Sequence, residues 1–249
     1  MKVNLTNMFI AICLLVTVFS CVRSTFVPND DIELECDVQT QLDSGWVCGR
    51  IRTAEEDVQY ASFRGIPYAQ QPLGELRFKE LQPLDPWNDV LVATEEGPIC
   101  PQYDELYGRL VRPVGTSESC IFANVHVPLN ASVSGSPKGL PILVYIHGGA
   151  FQAGSGNADV HGPEYLVSKG VIVITFNYRL NVFGYLSLNS PKIPGNNGLR
   201  DAITLLKWVQ RNARAFGGDP GNVTLGGHSA GSITAHLLSL SKTSKGLFK

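Results

Sequence analysis

The residues best suited to chemistry form the pentapeptide Gly227-His228-Ser229-Ala230-Gly231, a G-x-S-x-G motif. A predicted strand over 222–227 runs directly into it, and a helical pattern continues from Ser229 to about Leu240. In this strand–turn–helix context a serine sits on a strained turn with its hydroxyl exposed. We therefore predict Ser229 as a nucleophile, with the amide of Ala230 as one donor to the oxyanion that forms during attack on a carbonyl.

A second glycine-rich turn, His147-Gly148-Gly149-Ala150-Phe151, follows an apolar run at 141–146. The backbone N–H groups of such a turn can point at a developing oxyanion. Phosphate binding is the alternative, but the turn has neither the Lys–Ser/Thr pair of a P-loop nor the GxGxxG order. We therefore expect this turn to complete the oxyanion hole.

The elements that must position these groups alternate between strands and helices. The runs 141–146 and 171–178 are continuously apolar, as in strands buried on both faces, and a short helix is predicted over 162–169. A longer helix is predicted from the N-cap Asn197 to the stop at Gly217-Gly218. Earlier in the chain a hairpin is predicted over 32–40 and 45–52, with a further strand over 57–64. This order predicts an α/β fold with a mostly parallel central sheet and an N-terminal β-hairpin region.

The composition excludes several classes of protein. Of the 249 residues, 44% are hydrophobic and 17% are charged, which is unlike a disordered tail or a coiled coil. The net charge of −2 provides no basic field to attract nucleic acid. No cysteine or histidine spacing predicts a metal site, and we expect no cofactor.

The N-terminus resembles a secretory signal. The apolar stretch at 8–22 is short for a membrane span, so a signal peptide over 1–24 is favoured over an uncleaved anchor, without stable membrane insertion. In an oxidising compartment Cys36, Cys48, Cys100 and Cys120 admit three disulfide connectivities, and sequence order favours Cys36–Cys48 with Cys100–Cys120. The sequon at Asn130 lies in a polar loop and predicts a glycan, whereas a glycan at Asn222, next to a strand, fits less easily.

Longer stretches resemble the type-B carboxylesterases, the cholinesterase-like branch of the α/β-hydrolases, and secreted insect esterases in particular. They include FRGIPYA at 63–69, NYRLNVFGYLS at 177–187 and FGGDPGNVTLGGHSAG at 216–231. The resemblance implies an α/β-hydrolase fold and hydrolysis of small carboxylic esters through an acyl-enzyme on Ser229. The residues that it assigns as oxyanion donors are Gly149, Ala150 and Ala230. It also implies a Cys100–Cys120 disulfide and buried ion pairs Arg77–Glu118 and Arg179–Asp201.

Two departures from the family pattern bear on the substrate. The loop between Cys100 and Cys120 contains no tryptophan, and the residue before the nucleophile is His228 rather than the glutamate of cholinesterases. A quaternary ammonium group would favour such an aromatic face. We therefore expect a neutral ester as substrate, and we interpret His228 as a wall or packing residue rather than as a base.

The remaining members of a catalytic triad are not evident. In this fold an acid and then a histidine follow the serine. Residues 230–249 contain no Asp or Glu, and their one histidine, His236, lies on the same helix as the nucleophile. We therefore expect residues 25–249 to be the N-terminal portion of a single esterase domain whose C-terminal half is missing, and the chain alone to be inactive. A truncated, non-catalytic binder is the alternative, and nothing in the sequence indicates an oligomeric state.

Overall fold

The structure is a computed structural model that describes residues 36–103, 115–129 and 139–249. The predicted signal peptide and Asn130 lie outside these residues. Within them no helix is both long enough and apolar enough to cross a membrane.

Ten strands are found in the described part of the chain: β1 Val38–Gln41, β2 Trp46–Thr53, β3 Gln59–Pro67, β4 Leu91–Val92, β5 Phe122–Pro128, β6 Leu140–Ile146, β7 Ile172–Phe176, β8 Ser187–Ser190, β9 Ile193–Pro194 and β10 Gly218–Gly227. The α-helices there are α1 Ala158–His161, α2 Glu164–Val167, α3 Asn181–Tyr185, α4 Asn197–Asn212 and α5 Ala230–Leu240.

Eight of these strands form one mixed sheet in the order β1-β2-β3-β5-β7-β6-β10, with β4 beside β2. The strands from β1 to β7 pair antiparallel with their neighbours along this path, and β7, β6 and β10 pair in parallel. The predicted hairpin is therefore the antiparallel start of the sheet. The predicted parallel strands make up the half of the sheet that carries the two glycine-rich motifs.

The two apolar runs differ in burial. Every residue of β7 is buried, as its sequence predicts, whereas burial alternates along β6. The expectation that β6 is buried on both faces is therefore only partly correct. β5 was not predicted, because its buried Asn124 and His126 interrupt the apolar pattern. The Asn124 amide donates to the carbonyl of Gly156, and Nδ1 of His126 is hydrogen-bonded to the Ser62 hydroxyl, whereas the buried Nε2 of His126 has no partner within the described residues.

Helix α4 packs its apolar stripe against the sheet. Trp208 is buried beside Phe216, which also makes an edge contact with Phe63 of β3. The N-cap is Asn196, in the left-handed region at φ 57°, and not Asn197 as predicted. The α-helix ends at Asn212, and a 3₁₀ turn carries the chain to Gly217, whose φ of 73° stops it.

Two disulfides are present, Cys36–Cys48 and Cys100–Cys120. This is the connectivity that sequence order favours among the three. The first links Cys36, two residues before β1, to β2, and the second links the segment after β4 to Cys120, two residues before β5.

Candidate active site

Ser229 lies on a sharp turn between β10 and α5. Its φ of 53° and ψ of −119° lie in a region that non-glycine residues seldom adopt. A Cβ atom on Gly231 would overlap the carbonyl oxygen of Ile146, and one on Gly227 would lie 2.6 Å from the carbonyl carbon of Gly231. The two glycines therefore allow α5 to start directly against the ends of β6 and β10.

The His147–Phe151 turn lies beside Ser229 because β6 and β10 are parallel neighbours that end in register, with Gly227 opposite Ile146. A Cβ atom on Gly148 would lie 3.2 Å from the Cβ of Ser229. Gly149 and Ala150 both have positive φ, at 106° and 55°. The structure thus brings the two motifs of the sequence together at one end of the sheet.

Three amide groups around Ser229 have hydrogen atoms to donate. Among the described residues, the N–H groups of Gly149, Ala150 and Ala230 donate no hydrogen bond, although the carbonyl of Gly149 accepts bonds from Gln152 and Ala153. Free donors held by a fixed backbone can stabilise an oxyanion without reorganisation. These are the three residues that the family resemblance assigns to the oxyanion hole.

His147 fixes the shape of this turn. Its buried ring stacks on Tyr178 with 4.3 Å between centroids, and its Nδ1–H donates to the carbonyl of Gly148 at 2.8 Å. The Tyr178 hydroxyl donates to the His147 carbonyl at 2.8 Å. Burial lowers the pKa of His147 to about 3, so the ring is neutral and holds the loop rather than accepting a proton.

No histidine is placed to act as the base of Ser229 within the described residues. The Ser229 side chain is exposed, and its hydroxyl makes no hydrogen bond there. His126 is buried between strands, and the ring of His161 packs on Tyr145. His228 contacts the oxyanion loop, since a Cβ on Gly148 would lie 3.0 Å from its Nδ1, and this agrees with its interpretation as a wall residue.

A cavity of about 560 Å³ opens beside Ala150. Its walls are mainly apolar side chains from the oxyanion turn and from α3, α4 and α5, with three amide side chains and no carboxylate among the lining residues: Phe151, Gln152, Asn181, Val182, Tyr185, Asn196, Leu199, Ile233 and Leu237. The Phe151 and Tyr185 rings meet edge to face at 5.2 Å. This chemistry fits a neutral apolar group. Sequence reasoning did not identify these residues, because four separate segments contribute them.

The implied ion pairs both form, but only one is buried. Arg179 and Asp201 are at most 3% exposed, and two guanidinium nitrogens of Arg179 donate to the two carboxylate oxygens at 2.7 and 2.8 Å. Arg77 pairs with Glu118 at the surface, where the Arg77 side chain is 44% exposed. The expectation that this second pair is buried is wrong, because Arg77 follows a surface turn and Glu118 lies in a loop.

The histidines, cysteines and carboxylates described by the structure form no group of three that could hold a metal ion. Asn222, the second sequon, is half-buried in β10, next to the fully buried Val223.

Known proteins are similar to this chain in sequence. The model of the carboxylesterase family matches residues 35–249. Juvenile hormone esterase of Heliothis virescens is 62% identical over 214 residues, which cover 85% of this chain and 38% of that protein. Para-nitrobenzyl esterase of Bacillus subtilis is 43% identical over 208 residues, 81% of this chain and 41% of that protein. The chain thus spans about two fifths of the length of these relatives.

A solved structure is similar as well. The crystal structure of juvenile hormone esterase from Manduca sexta, with OTFP covalently attached, matches with a TM-score of 0.81 and 65% sequence identity. The match covers 85% of this chain and 39% of that one.

Proposed function

The chain belongs to the carboxylesterase family, and we propose that it carries the nucleophile and the oxyanion hole of a carboxylic ester hydrolase. The observation that supports this most directly is the placement of Ser229. It lies on a strained turn with a free hydroxyl, facing a loop whose amides have no acceptor among the described residues.

In the proposed mechanism, a general base takes the proton of the Ser229 hydroxyl while its Oγ forms a bond to the carbonyl carbon of the ester, and the π electrons of the carbonyl move onto its oxygen. The N–H groups of Gly149, Ala150 and Ala230 donate to this oxyanion. Collapse of the tetrahedral intermediate breaks the bond to the alcohol, which leaves with a proton from the general base. Water then attacks the acyl-enzyme in the same way and releases the acid and the serine.

The base and its orienting acid are proposed to come from residues beyond Lys249 in a longer form of the protein. Residues 230–249 contain no carboxylate side chain, and the histidines of the chain make no hydrogen bond to Ser229 in the described structure. The relatives' greater length supports this proposal. We therefore propose that the 249-residue chain by itself does not turn over esters.

We propose a neutral ester as substrate, with an apolar portion in the cavity beside Ala150. The absence of a carboxylate from the residues lining that cavity argues against a cationic substrate. Two relatives with more than 60% identity are named juvenile hormone esterases, which makes a juvenile hormone ester a candidate substrate. We also propose that residues 1–24 direct secretion, and that residues 25–249 form part of one esterase domain.

Labelling with a fluorophosphonate probe tests the assignment of Ser229. We expect the full-length gene product to be labelled and its Ser229→Ala variant to remain unlabelled. Ser239→Ala is the matched control, because Ser239 is an exposed serine on α5. Its hydroxyl donates only to the His236 carbonyl within the described structure. Labelling that survives in Ser229→Ala would refute the assignment. Labelling of the 249-residue chain would refute the proposal that its base lies elsewhere.

A further inference from the structure

A second cavity, of about 410 Å³, lies away from Ser229. Its lining includes Lys207 and Arg211 from the C-terminal half of α4, and Asp43 and Ser44 from the turn between β1 and β2. The extended segment 80–86 also lines it, and Leu81, Pro83, Leu84 and Pro86 provide apolar surface. The cavity is therefore lined by both cationic and apolar side chains.

The hydroxyl groups that line this cavity already donate hydrogen bonds within the protein. Tyr68 donates to the carbonyl of Asn177 at 2.7 Å, and Thr204 donates to the carbonyl of Arg200 at 3.0 Å. Ser44 donates to Asp43 at 3.2 Å. None of them has a hydrogen atom left to donate to a ligand.

The two carboxylates that line the cavity are also neutralised from within the protein. Asp43 accepts from Arg211 Nε at 2.6 Å and from Asn212 Nδ2 at 2.9 Å, in addition to Ser44. Glu80 forms an ion pair with Arg200. A cationic ligand would have to compete with these arginines.

The lining groups that still have hydrogen atoms to donate to a ligand belong to a lysine and an arginine. In the described part of the chain, Lys207 has no hydrogen bond or ion pair, and Arg211 uses only its Nε, which leaves its two Nη groups free. Lys207 and Arg211 are four residues apart on α4, so their side chains lie on the same face one turn apart. One unpaired positive charge on Lys207, the free Nη groups of the ion-paired Arg211 and neighbouring apolar side chains are the complement of an amphipathic anion.

We propose that this cavity binds a carboxylate with an apolar body, whose head group contacts Lys207 and Arg211 and whose chain lies on Leu81, Leu84 and the two prolines. At about 30 Å³ for each non-hydrogen atom, roughly the share of one water molecule in the liquid, the cavity holds a ligand of about a dozen such atoms. A ten-carbon carboxylate matches this size. The proposal is independent of ester hydrolysis at Ser229.

Calorimetric titration of the full-length gene product with decanoate, below the micellar range of decanoate, tests this site. We expect saturable binding that Lys207→Gln weakens at least tenfold, because a charge-assisted hydrogen bond to the head group is lost. Lys207 has no partner within the described structure, so this substitution is not expected to disturb folding. Lys242→Gln, which removes another exposed lysine outside the cavity, is the matched control and should leave the affinity unchanged.

Two further measurements separate this site from other sources of binding. Decanamide, which has the same chain and no charge, should bind at least tenfold more weakly than decanoate. Leu237→Asn, in the wall of the cavity beside Ala150, should leave decanoate binding unchanged. Equal affinity of Lys207→Gln and the parent chain, equal binding of decanamide, or loss of binding in Leu237→Asn would each overturn the proposal.

Discussion

His126 and His147 are kept neutral inside the protein, and this makes the stability of the fold sensitive to acid. Burial lowers the pKa of each ring to about 3, from an ordinary value of 6.5. Above pH 6.5 neither state of the protein is protonated at these rings. Between pH 6.5 and 3 the unfolded chain binds protons that the folded chain does not, so stability falls as the pH falls.

A comparison of His126→Gln with the parent chain measures this effect. When the pH falls from 7 to 5, one such histidine should raise the unfolding equilibrium constant of the parent chain by about 25-fold. The His126→Gln variant should lose that part of the pH dependence. Urea unfolding at pH 7 and at pH 5 gives the change in unfolding free energy with pH for each protein, and this change can be compared even where the variant is less stable. His236→Gln, at an exposed histidine, is the control. Identical pH dependence in His126→Gln and the parent chain would show that His126 is not held neutral.

The buried ion pair between Arg179 and Asp201 contributes to the stability of the fold through its paired charges. Asp201 accepts from the Arg179 backbone N–H as well as from two guanidinium nitrogens, and Arg179 also donates to the Lys79 carbonyl. Asp201→Asn would leave the buried guanidinium without its counter-charge, and we expect it to cost about 3–5 kcal/mol of unfolding free energy. Glu118→Gln, at the exposed pair with Arg77, should change the urea midpoint far less. Equal losses in the two variants would contradict this distinction between buried and exposed pairs.

For single residues, the sequence predicted a role correctly where that role follows from the residue's backbone conformation. The glycines around Ser229 and in the His147–Phe151 turn indicated the sharp turn at the nucleophile and the oxyanion loop, because both need close approach or positive φ. The exposure of Arg77 and the edge contact of Phe151 with Tyr185 were not predictable, since they depend on how distant segments pack.

The junction between strand and helix is the element on which the candidate site depends. Gly231→Ala would push its Cβ into the Ile146 carbonyl, which is backbone and cannot rotate away. We expect the substitution to destabilise the fold by at least about 1–3 kcal/mol, the usual cost of overpacking. Gly221→Ala is the matched control, because its nearest neighbour would be the Asp219 side chain at 3.2 Å. Thermal unfolding compares the two, and unchanged stability of Gly231→Ala would show that α5 does not need this close approach.

Some of the elements were predictable. The second half of β10, α5 and most of α4 follow from local patterns, a strand over 222–227 and helical spacing, whereas β4, β5, β8, β9, α1 and α3 were not predicted. The antiparallel pairing of β5 with both β3 and β7 was not predictable, because strand order arises from contacts far apart in the chain. The left-handed Asn196 at the start of α4 also needs tertiary packing to be recognised.

For the whole molecule, three features of the sequence lead to the proposal of secretion: the apolar stretch at 8–22, the two pairs of cysteines and the sequons. Within the described structure the four cysteines of residues 25–249 are paired, which suits an oxidising compartment. The signal segment and Asn130 lie outside the described residues, so the structure does not bear on them. A measurement on the secreted protein tests all three features together.

We expect the mature protein to begin at Thr25, to have no free thiol at Cys36, Cys48, Cys100 or Cys120 and to carry a glycan on Asn130. Mass spectrometry after alkylation without reduction measures the first two properties, and digestion with an N-glycosidase measures the third. Asn130→Gln should abolish the mass shift on digestion. Asn222→Gln is the matched variant and should retain the shift, because Asn222 is half-buried beside the fully buried Val223, where a bulky glycan has little room. Retention of residues 1–24 or alkylation of any of these four cysteines would contradict secretion. A shift lost only in Asn222→Gln would reverse the assignment of the glycan.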